Sequence, residues 1–580
     1  MILQALARYY DDLLQQGKIS APGWTKVKIS YALDIGLDGQ LKQVIPTRQD
    51  ETVGKKTVQR PQEMVLPAPI KKTSGASSNF LWENSGYLLG IKQKEEPQRS
   101  LKCFETAREL HHALLDGVDS PNAKAILRFF DSWQPEEAAQ HPMLSGELDE
   151  ITAGGNLVFR IEGTYPQEDS RIREAWDKAR NSSSKDAVKM QCLITGQEDE
   201  IVAVHPSIKG VRDAQSSGAA LVSFNAPAFC SYGHEQNYNA PVGKHAAFAY
   251  TAALNHLLSD RNSVQHIGDT TVVCWAEGAE EAYQNLAQFA LFGQEMPGLT
   301  DNDLRAALKR LANGLPCDDL GVDPKRPFYV LGLAPNAARL SVRFFLHDSF
   351  GKLMRNVNDH YDRMEIVQPD LDKQEILPLW LMLRETVNLN SRDKAPSPAM
   401  AGATVRAVFS GGPYPASLLE AVMLRIRAES SVTRGRAAII KAYYLKNPHS
   451  DCPKEVLTVS LNEASNNPAY ILGRLFSVYE AVQQSANPGI NTTIKDKYFN
   501  SAAAMPGSIF PVLNNLYQKH LRKLAPGLRI SYDKQVMELK GALGENYPVR
   551  MTLAQQGAFD LGYYHQTQRR YTKKEDQNNG

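Results

Sequence analysis

Hydrophobic positions along this chain follow two rhythms, and the change from one to the other falls near residue 370. Ile2, Leu6, Tyr9 and Leu13 share one face of a predicted opening helix, with Arg8, Asp11 and Asp12 on the other. Residues 24–33 alternate like a strand, and Leu37-Asp38-Gly39-Gln40 reads as a turn into the next. Residues 46–80, rich in Pro, Lys, Gly and Ser, predict a long loop, and residues 131–200 a mixed, surface-rich insertion. Residues 328–333 form an apolar run of strand length, and 334–338 make a hairpin into a second strand. There Leu340, Val342 and Phe344 face one way, and Arg339, Ser341, Arg343 and Phe345 the other.

Helical spacing takes over from about 371. Residues 379–387, 416–427 and 434–446 predict three helices. Asn467 caps a fourth, Pro468 opens it, and Ile471, Leu475, Val478 and Val482 recur on one face. Pro506 opens a fifth that would bury Ile509, Val512, Leu513 and Leu516. The expected class is α+β: a mixed, multi-domain N-terminal region over 1–370, then a C-terminal α-helical bundle over 371–580.

A chain of 580 residues exceeds what one core can organise, and 42% hydrophobic with 22% charged residues fits a soluble globular protein. The charged face of the opening helix argues against a signal peptide or membrane span, so a cytoplasmic home and no membrane partner are expected. Six cysteines with no CxxC pair suggest neither a disulfide framework nor a zinc ribbon. Cys192, His205, Cys230 and His234 lack the close first pair of a structural zinc site, so no metal is expected.

The net charge of +1 hides a pattern. Residues 42–72 carry seven Lys/Arg against three Asp/Glu, and 501–580 eleven against six. Residues 131–200 reverse this, with seven against fifteen. Because salt screens fields beyond roughly 8 Å, local basic faces decide phosphate contact, and a near-neutral total is compatible with a nucleic-acid partner.

Covalent chemistry finds little support. Gly54-Lys55-Lys56-Thr57 lacks the glycine at position 49 that a phosphate loop needs. His347-Asp348 stands without the further ligands of a metal nuclease, and Cys230 with His234 or His245 lacks an orienting partner. A binding role with no catalytic residue and no cofactor is the expectation. The alternatives are a metal-dependent nuclease using the His, Cys and Asp residues, or a purely structural scaffold.

Residues 204–258 are rich in glycine and neutral hydrogen-bonding side chains, with Lys209, Arg212 and Lys244 as separated cations. That surface suits a charged polymer, or else is an ordinary, well-satisfied loop. Its wording, KGVRDAQSSGAALVSFNAPAFCSYGHEQNYNAP and then HAAFAYTAALNHLL, resembles the large-subunit family of the type I-C CRISPR Cascade surveillance complex. SGASSNFLWENSGYLLG (74–90), FYVLGLAPNAARLSVRFF (328–345) and NPAYILGRLFSVYEAVQ (467–483) are similar to it as well, as are both ends of the chain.

The resemblance implies a non-catalytic subunit that recognises the protospacer-adjacent motif in double-stranded DNA, helps open the duplex and stabilises the R-loop. Its implied partners are the CRISPR guide RNA, target double-stranded DNA, the Cascade backbone and small subunits, and a nuclease-helicase recruited afterwards. It also implies that about 456–580 resembles a small subunit, a region the family can make separately from an internal start.

Two loops are candidates for the flanking duplex. One offers Lys71 and Lys72 for phosphate and Thr73, Ser74, Gly75 and Asn79 for close approach to base edges. The other offers Lys209, Arg212, Gln215, Ser216, Ser217 and Asn225, where amides can pair with adenine or with minor-groove acceptors. Either loop could equally touch guide RNA or a partner subunit. Arg339, Arg343, Lys519, Arg522, Lys523, Arg569 and Arg570 are candidates for a nucleic-acid strand, the alternative being a solvated face. Phe80 and Trp82 read as core aromatics rather than as wedges.

Overall fold

The computed structural model describes residues 1–53, 56–70, 76–181, 187–260, 263–294, 296–392, 394–544 and 547–571, leaving aside the side chains of 50–53, 56–58 and 181. The architecture is mixed α+β, with small sheets and a C-terminal run of helices from 350 to 569. Two compact units are formed, the first from 3–205 and 224–252 and the second from 206–223 and 253–580.

In the first unit α1 (Ile2–Gln15) buries Leu6, Tyr9, Tyr10 and Leu13, the face its spacing predicts. The alternating run 24–33 is split at Ser30 into β1 (Trp24–Ile29) and β2 (Tyr31–Ile35), which join different sheets. Gly39 makes the turn with φ +83°, which glycine adopts without steric cost, and leads into β3 (Leu41–Pro46).

The expected loop at 46–80 instead carries three strands between 49 and 67. β4 (Gln49–Val53) pairs antiparallel with β5 (Lys56–Arg60), and β6 (Gln62–Pro67) pairs with β1. Polar composition hid two signals: β-branched residues at 52, 53, 57 and 58, and the alternation that buries Met64 and Leu66 in β6. β7 (Trp82–Glu83) and β8 (Leu157–Ile161) complete a sheet ordered β3-β2-β8-β7, with β8 parallel to β2. The acidic stretch 131–200, expected as an insertion, therefore supplies a strand of this sheet as well as surface.

Helices α2 (Pro97–Leu115) and α3 (Pro121–Ser132) bring Phe104, Phe129 and Phe130 into one core with Phe80, Phe159 and Trp176. Phe80 stacks on Trp176 at 5.4 Å, and the Trp82 indole donates to the Pro67 carbonyl at 2.8 Å. Both are core residues, as their apolar setting predicts. A short ribbon, β9 (Lys189–Gln191) with β10 (Glu198–Glu200), follows α4 (Ser170–Asn181), and α5 (Lys244–Ser259) begins in the first unit and ends in the second.

The second unit is built on an antiparallel sheet, β11 (Val264–Ile267), β12 (Thr270–Ala276), β13 (Pro327–Asn336) and β14 (Arg339–Ser349), in that spatial order. Val272, Cys274, Phe328, Val330 and Phe344 belong to the helical core, while Trp275, Tyr329 and His347 stack in a row on the other face. The hairpin turn is tighter than predicted, with Ala337 at φ +52°. The expected alternation along β14 breaks: Gly332 pairs with Phe344 and Leu333 with Val342, so Arg343 is an unpaired bulge residue. Val342 and Arg343 are consequently both exposed, and Phe344 is buried.

Among the helices, α6 (Phe350–Met364) and α7 (Arg434–Lys446) pack beside α8 (Pro468–Ala486), α9 (Pro506–Leu521), α10 (Pro526–Leu543) and α11 (Leu553–Arg569). Asn467 caps α8 by accepting from the Tyr470 amide at 3.1 Å, and Ile471, Leu475, Val478 and Val482 are buried as predicted. In α9 the buried face is Phe510, Leu513 and Tyr517; Val512 is 42% exposed, and Ile509 and Leu516 are half-buried. The aromatic pair sets that rotation, because Tyr517 stacks on Tyr479 at 4.8 Å and Phe510 on Tyr547 at 5.5 Å.

α8 and α11 cross at two glycines. A Cβ on Gly473 would overlap the Phe559 carbonyl oxygen, and one on Gly562 the Tyr470 carbonyl oxygen. Gly473→Ala or Gly562→Ala is therefore expected to destabilise, by about 1–3 kcal/mol in denaturant unfolding, the usual cost of overpacking. Gly541→Ala in α10, where a Cβ meets nothing within 4 Å, is expected to be neutral or stabilising by up to about 1 kcal/mol. Equal effects at all three would show that the crossing is not tight.

Buried histidines supply a second expectation. Burial holds His111 down to about 4, and His360 and His565 down to about 3, below the ordinary 6.5. The unfolded chain therefore takes up protons first, and stability present above pH 6.5 is lost as pH falls from there towards 4. The slope is up to about 1.4 kcal/mol per pH unit for each such histidine. Denaturant midpoints measured from pH 7 to 4.5 should fall accordingly, and a flat profile would contradict the burial.

Candidate nucleic-acid interface

Lys71, Lys72, Thr73, Ser74 and Gly75 lie outside the described residues, but the base of their loop is on view. Asn79 is buried, accepts from the Ile70 amide at 3.1 Å and donates to the Glu83 carboxylate at 2.7 Å. Glu83 in turn accepts from the Asn84 backbone amide at 3.0 Å. Leu81, at φ +68°, donates its amide to His111 Nε2 at 3.0 Å, while His111 Nδ1 contacts the Ala107 carbonyl at 2.7 Å. The depressed basicity of His111, caused by burial, keeps Nε2 free of a proton and able to accept. Asn79 thus fastens the two ends of the loop together rather than presenting its amide to a base edge.

The second loop belongs to the second unit. Ile208 and Ala219 bridge antiparallel, each amide donating to the other's carbonyl at 2.9 Å, so residues 209–218 project as a closed loop. Lys209, Arg212, Gln215, Ser216 and Ser217 are all exposed on it, and Val211 is buried beneath. The Asn255 side chain of α5 holds the base, accepting from the Lys209 amide at 2.8 Å and donating to the Ser207 carbonyl at 3.1 Å. The Arg212 amide donates to the Thr271 hydroxyl of β12 at 3.0 Å, and Ala220 bridges parallel to Arg339 at the edge of β14. Gly218, at φ +99°, lies where a Cβ would press on Ser207, so the chain crossing needs its lack of a side chain.

Lys209, Arg212 and Arg339 are thereby gathered at one end of the four-stranded sheet, although 122 residues separate Ser217 from Arg339 in sequence. Arg212 stands 3.9 Å from its neighbour Asp213, a weak, solvent-screened pair. Its charge also contributes, after burial, to lowering the basicity of His266. Arg343, displaced outward by the bulge, forms an ion pair with Asp269 at 2.8 Å.

Asn225 is exposed in the first unit, on a segment that also carries Tyr232, 98% exposed with φ +52°. Asn239 shapes this segment, accepting from the Ser231 amide at 2.7 Å and donating to the carbonyls of His234 and Gln236. Sequence reasoning passed over Tyr232; the available signal was an aromatic residue in a polar, glycine-rich run with no apolar neighbour. Asn255 and Thr271 carried no comparable signal, since their roles come from contacts distant in sequence.

In the C-terminal helices Lys519, Arg522 and Lys523 are exposed around the end of α9, with Lys523 donating to Asn487 at 3.2 Å. Arg569 pairs with Glu463, and Arg570 lies 3.5 Å from the Gln484 side chain.

Several residues weighed for metal or nucleophilic chemistry make contacts of their own. His205 is buried against the Tyr250 hydroxyl at 2.7 Å, Cys192 is buried, and Cys230 Sγ contacts the Ala226 carbonyl at 3.7 Å. Asp348 pairs with Lys352 at 2.7 Å, and His347 stacks on Tyr329 at 4.7 Å. Among the described residues no group of three or more His, Cys, Asp or Glu is placed to hold a metal ion, and no helix is long and apolar enough to cross a membrane.

No curated protein matches this chain. A family described as CRISPR-associated protein (Cas_Csd1) does match, over residues 6–571, which takes in both units and every candidate described above. With nearly its whole length accounted for in this way, the chain belongs to the CRISPR-associated Csd1 family.

Proposed function

We propose that this chain is the non-catalytic large subunit of a type I-C Cascade surveillance complex, reading the protospacer-adjacent motif, helping to open the duplex and stabilising the R-loop. The observation that carries this reading is the loop 209–218. It projects two cations and three neutral hydrogen-bonding side chains, while its base is pinned through Asn255, Thr271 and the edge of β14. Cations there meet phosphate and set position, and amides and hydroxyls reach base edges. A pre-fixed base lowers the ordering cost of binding.

Guide pairing reads the target sequence in this scheme, so the protein needs to inspect only the short flanking duplex. Exchange of a DNA duplex for a guide–target hybrid is nearly balanced in free energy, and modest contacts decide whether opening begins. Tyr232 is suited to stack on an unpaired base, a contact of about 1–3 kcal/mol. The partners are then guide RNA, target DNA, the backbone and small subunits of the complex, and a separate nuclease-helicase that cuts.

Charge reversal at Lys71 and Lys72 is expected to weaken flanking-duplex binding and flatten its salt dependence, by up to about 0.9 in log–log slope per lost phosphate contact. Affinity unchanged across several salt concentrations would remove that loop from the interface. Replacing Gln215 or Asn225 by Ala is expected to alter preference among flanking sequences, by about 1–3 kcal/mol at the base pair concerned. Uniform weakening across sequences would reassign the residue to phosphate contact. Hydrolysis of labelled duplex by the purified chain with divalent metal would favour the nuclease reading over this one.

A further inference from the structure

A cavity of about 410 Å³ opens where α8, α10 and α11 meet, and the group at its wall that stands out is a buried arginine. Arg474, on α8, is only 9% exposed. Its Nε donates to Gln566 at 3.1 Å and its Nη1 to the carbonyls of Asn462 and Glu463 at 3.4 Å. Every one of these partners is a neutral acceptor. Among the described residues no carboxylate lies within ion-pair distance of Arg474, and burial lowers its basicity. A guanidinium withdrawn from water with its counter-charge, Glu538, beyond ion-pair distance is costly.

The rest of the lining explains who is available to pair with it. Glu463 is engaged by Arg569, and Glu538, 4.0 Å from an exposed Lys534 on its own helix, acts on Arg474 only from beyond ion-pair distance. Arg570 adds a third guanidinium to the wall, with a neutral partner in Gln484 at 3.5 Å. Arg569 and Arg570 close the C-terminal end of α11, a position that favours cations by itself. Arg474 lies in the middle of α8, so no helix end accounts for it. Three arginines against two carboxylates leave the cavity one positive charge in excess, with a planar donor fork at the wall.

We infer that this cavity seats one phosphate group of a nucleic-acid strand, held by Arg474 and Arg570 with Arg569 at the rim. A phosphodiester supplies both the missing negative charge and oxygens matched to the guanidinium fork. A strand is favoured over free phosphate because residues 501–580 carry five more cations than anions, eleven against six, which provides for neighbouring phosphates. The inference rests on the proposed function and adds a defined strand contact to it.

The test uses the full chain, a labelled single-stranded oligo-dT probe and a salt series. Arg570→Gln and Arg474→Gln are each expected to weaken binding and to lower the log–log salt slope by about 0.7, the loss of one single-strand phosphate contact. Arg474→Lys, which keeps the charge and loses the fork, should recover part of the affinity. Because Arg474 lies between helices, only variants with the parent's unfolding midpoint are compared, and Arg570→Gln provides the independent arm. Parent-like slopes in Arg570→Gln and in the folded Arg474 variants would overturn the assignment. So would inorganic phosphate stabilising the parent but not Arg474→Gln in thermal unfolding while the strand slopes stay parent-like, which would make this a free-phosphate site. Gln215→Ala separates the two readings. If its flanking-sequence preference is unaltered while the arginine variants lose slope, the duplex-reading role fails and the strand seat stands; the converse sinks the seat alone.

Discussion

The C-terminal bundle depends on how closely α8 and α11 can approach. With hydrogen atoms in place of side chains at Gly473 and Gly562, each helix lays backbone directly on the other's carbonyl oxygen. That approach buries α8 on every side from Ala469 to Val482, polar residues included. Buried polar groups must then find partners: Glu480 accepts from Thr493 and Tyr563, Ser477 meets Thr567, and Tyr470 meets His565. Arg474 is the member of this set whose hydrogen-bond partners are all neutral, with Glu538 acting only from a distance, so tight packing and the arginine-walled cavity share one cause.

The loops with candidate contacts follow a common design. The 209–218 loop and the segment around Tyr232 expose polar groups and are held by Asn255 and Asn239, and Asn79 makes the same kind of tie between Ile70 and Glu83. An amide donates and accepts at once, so a single side chain can tie a backbone amide to a backbone carbonyl or a carboxylate. Such a base fixes where a loop starts and ends while its tip side chains remain open to a ligand.

Much of the helical region was readable from spacing and caps. The helix over 434–446 and the Asn467–Pro468 start appear where the sequence puts them. Errors arose where local pattern was outweighed by packing. Aromatic stacking turned α9 so that Val512 faces solvent, and a bulge at Arg343 shifted the side chains of β14. Between 46 and 80 the polar composition masked strands whose partners are β1 and a local hairpin. Among the candidate contacts, the exposure of Lys209, Arg212, Gln215, Ser216 and Ser217 agrees with their polar setting, whereas Asn79 turned inward.

The sequence by itself determined the α+β class, the helical C-terminal half, the core role of Phe80 and Trp82, and the family, because periodicity, caps and long phrases are local properties of the chain. Only the tertiary structure decided which cations stand together. Arg339 meets the 209–218 loop, and Arg474 meets Arg569 and Arg570, through sheet-edge bridging and helix crossing between residues roughly a hundred positions apart. Contacts at that separation depend on packing geometry, and no one-dimensional pattern encodes it.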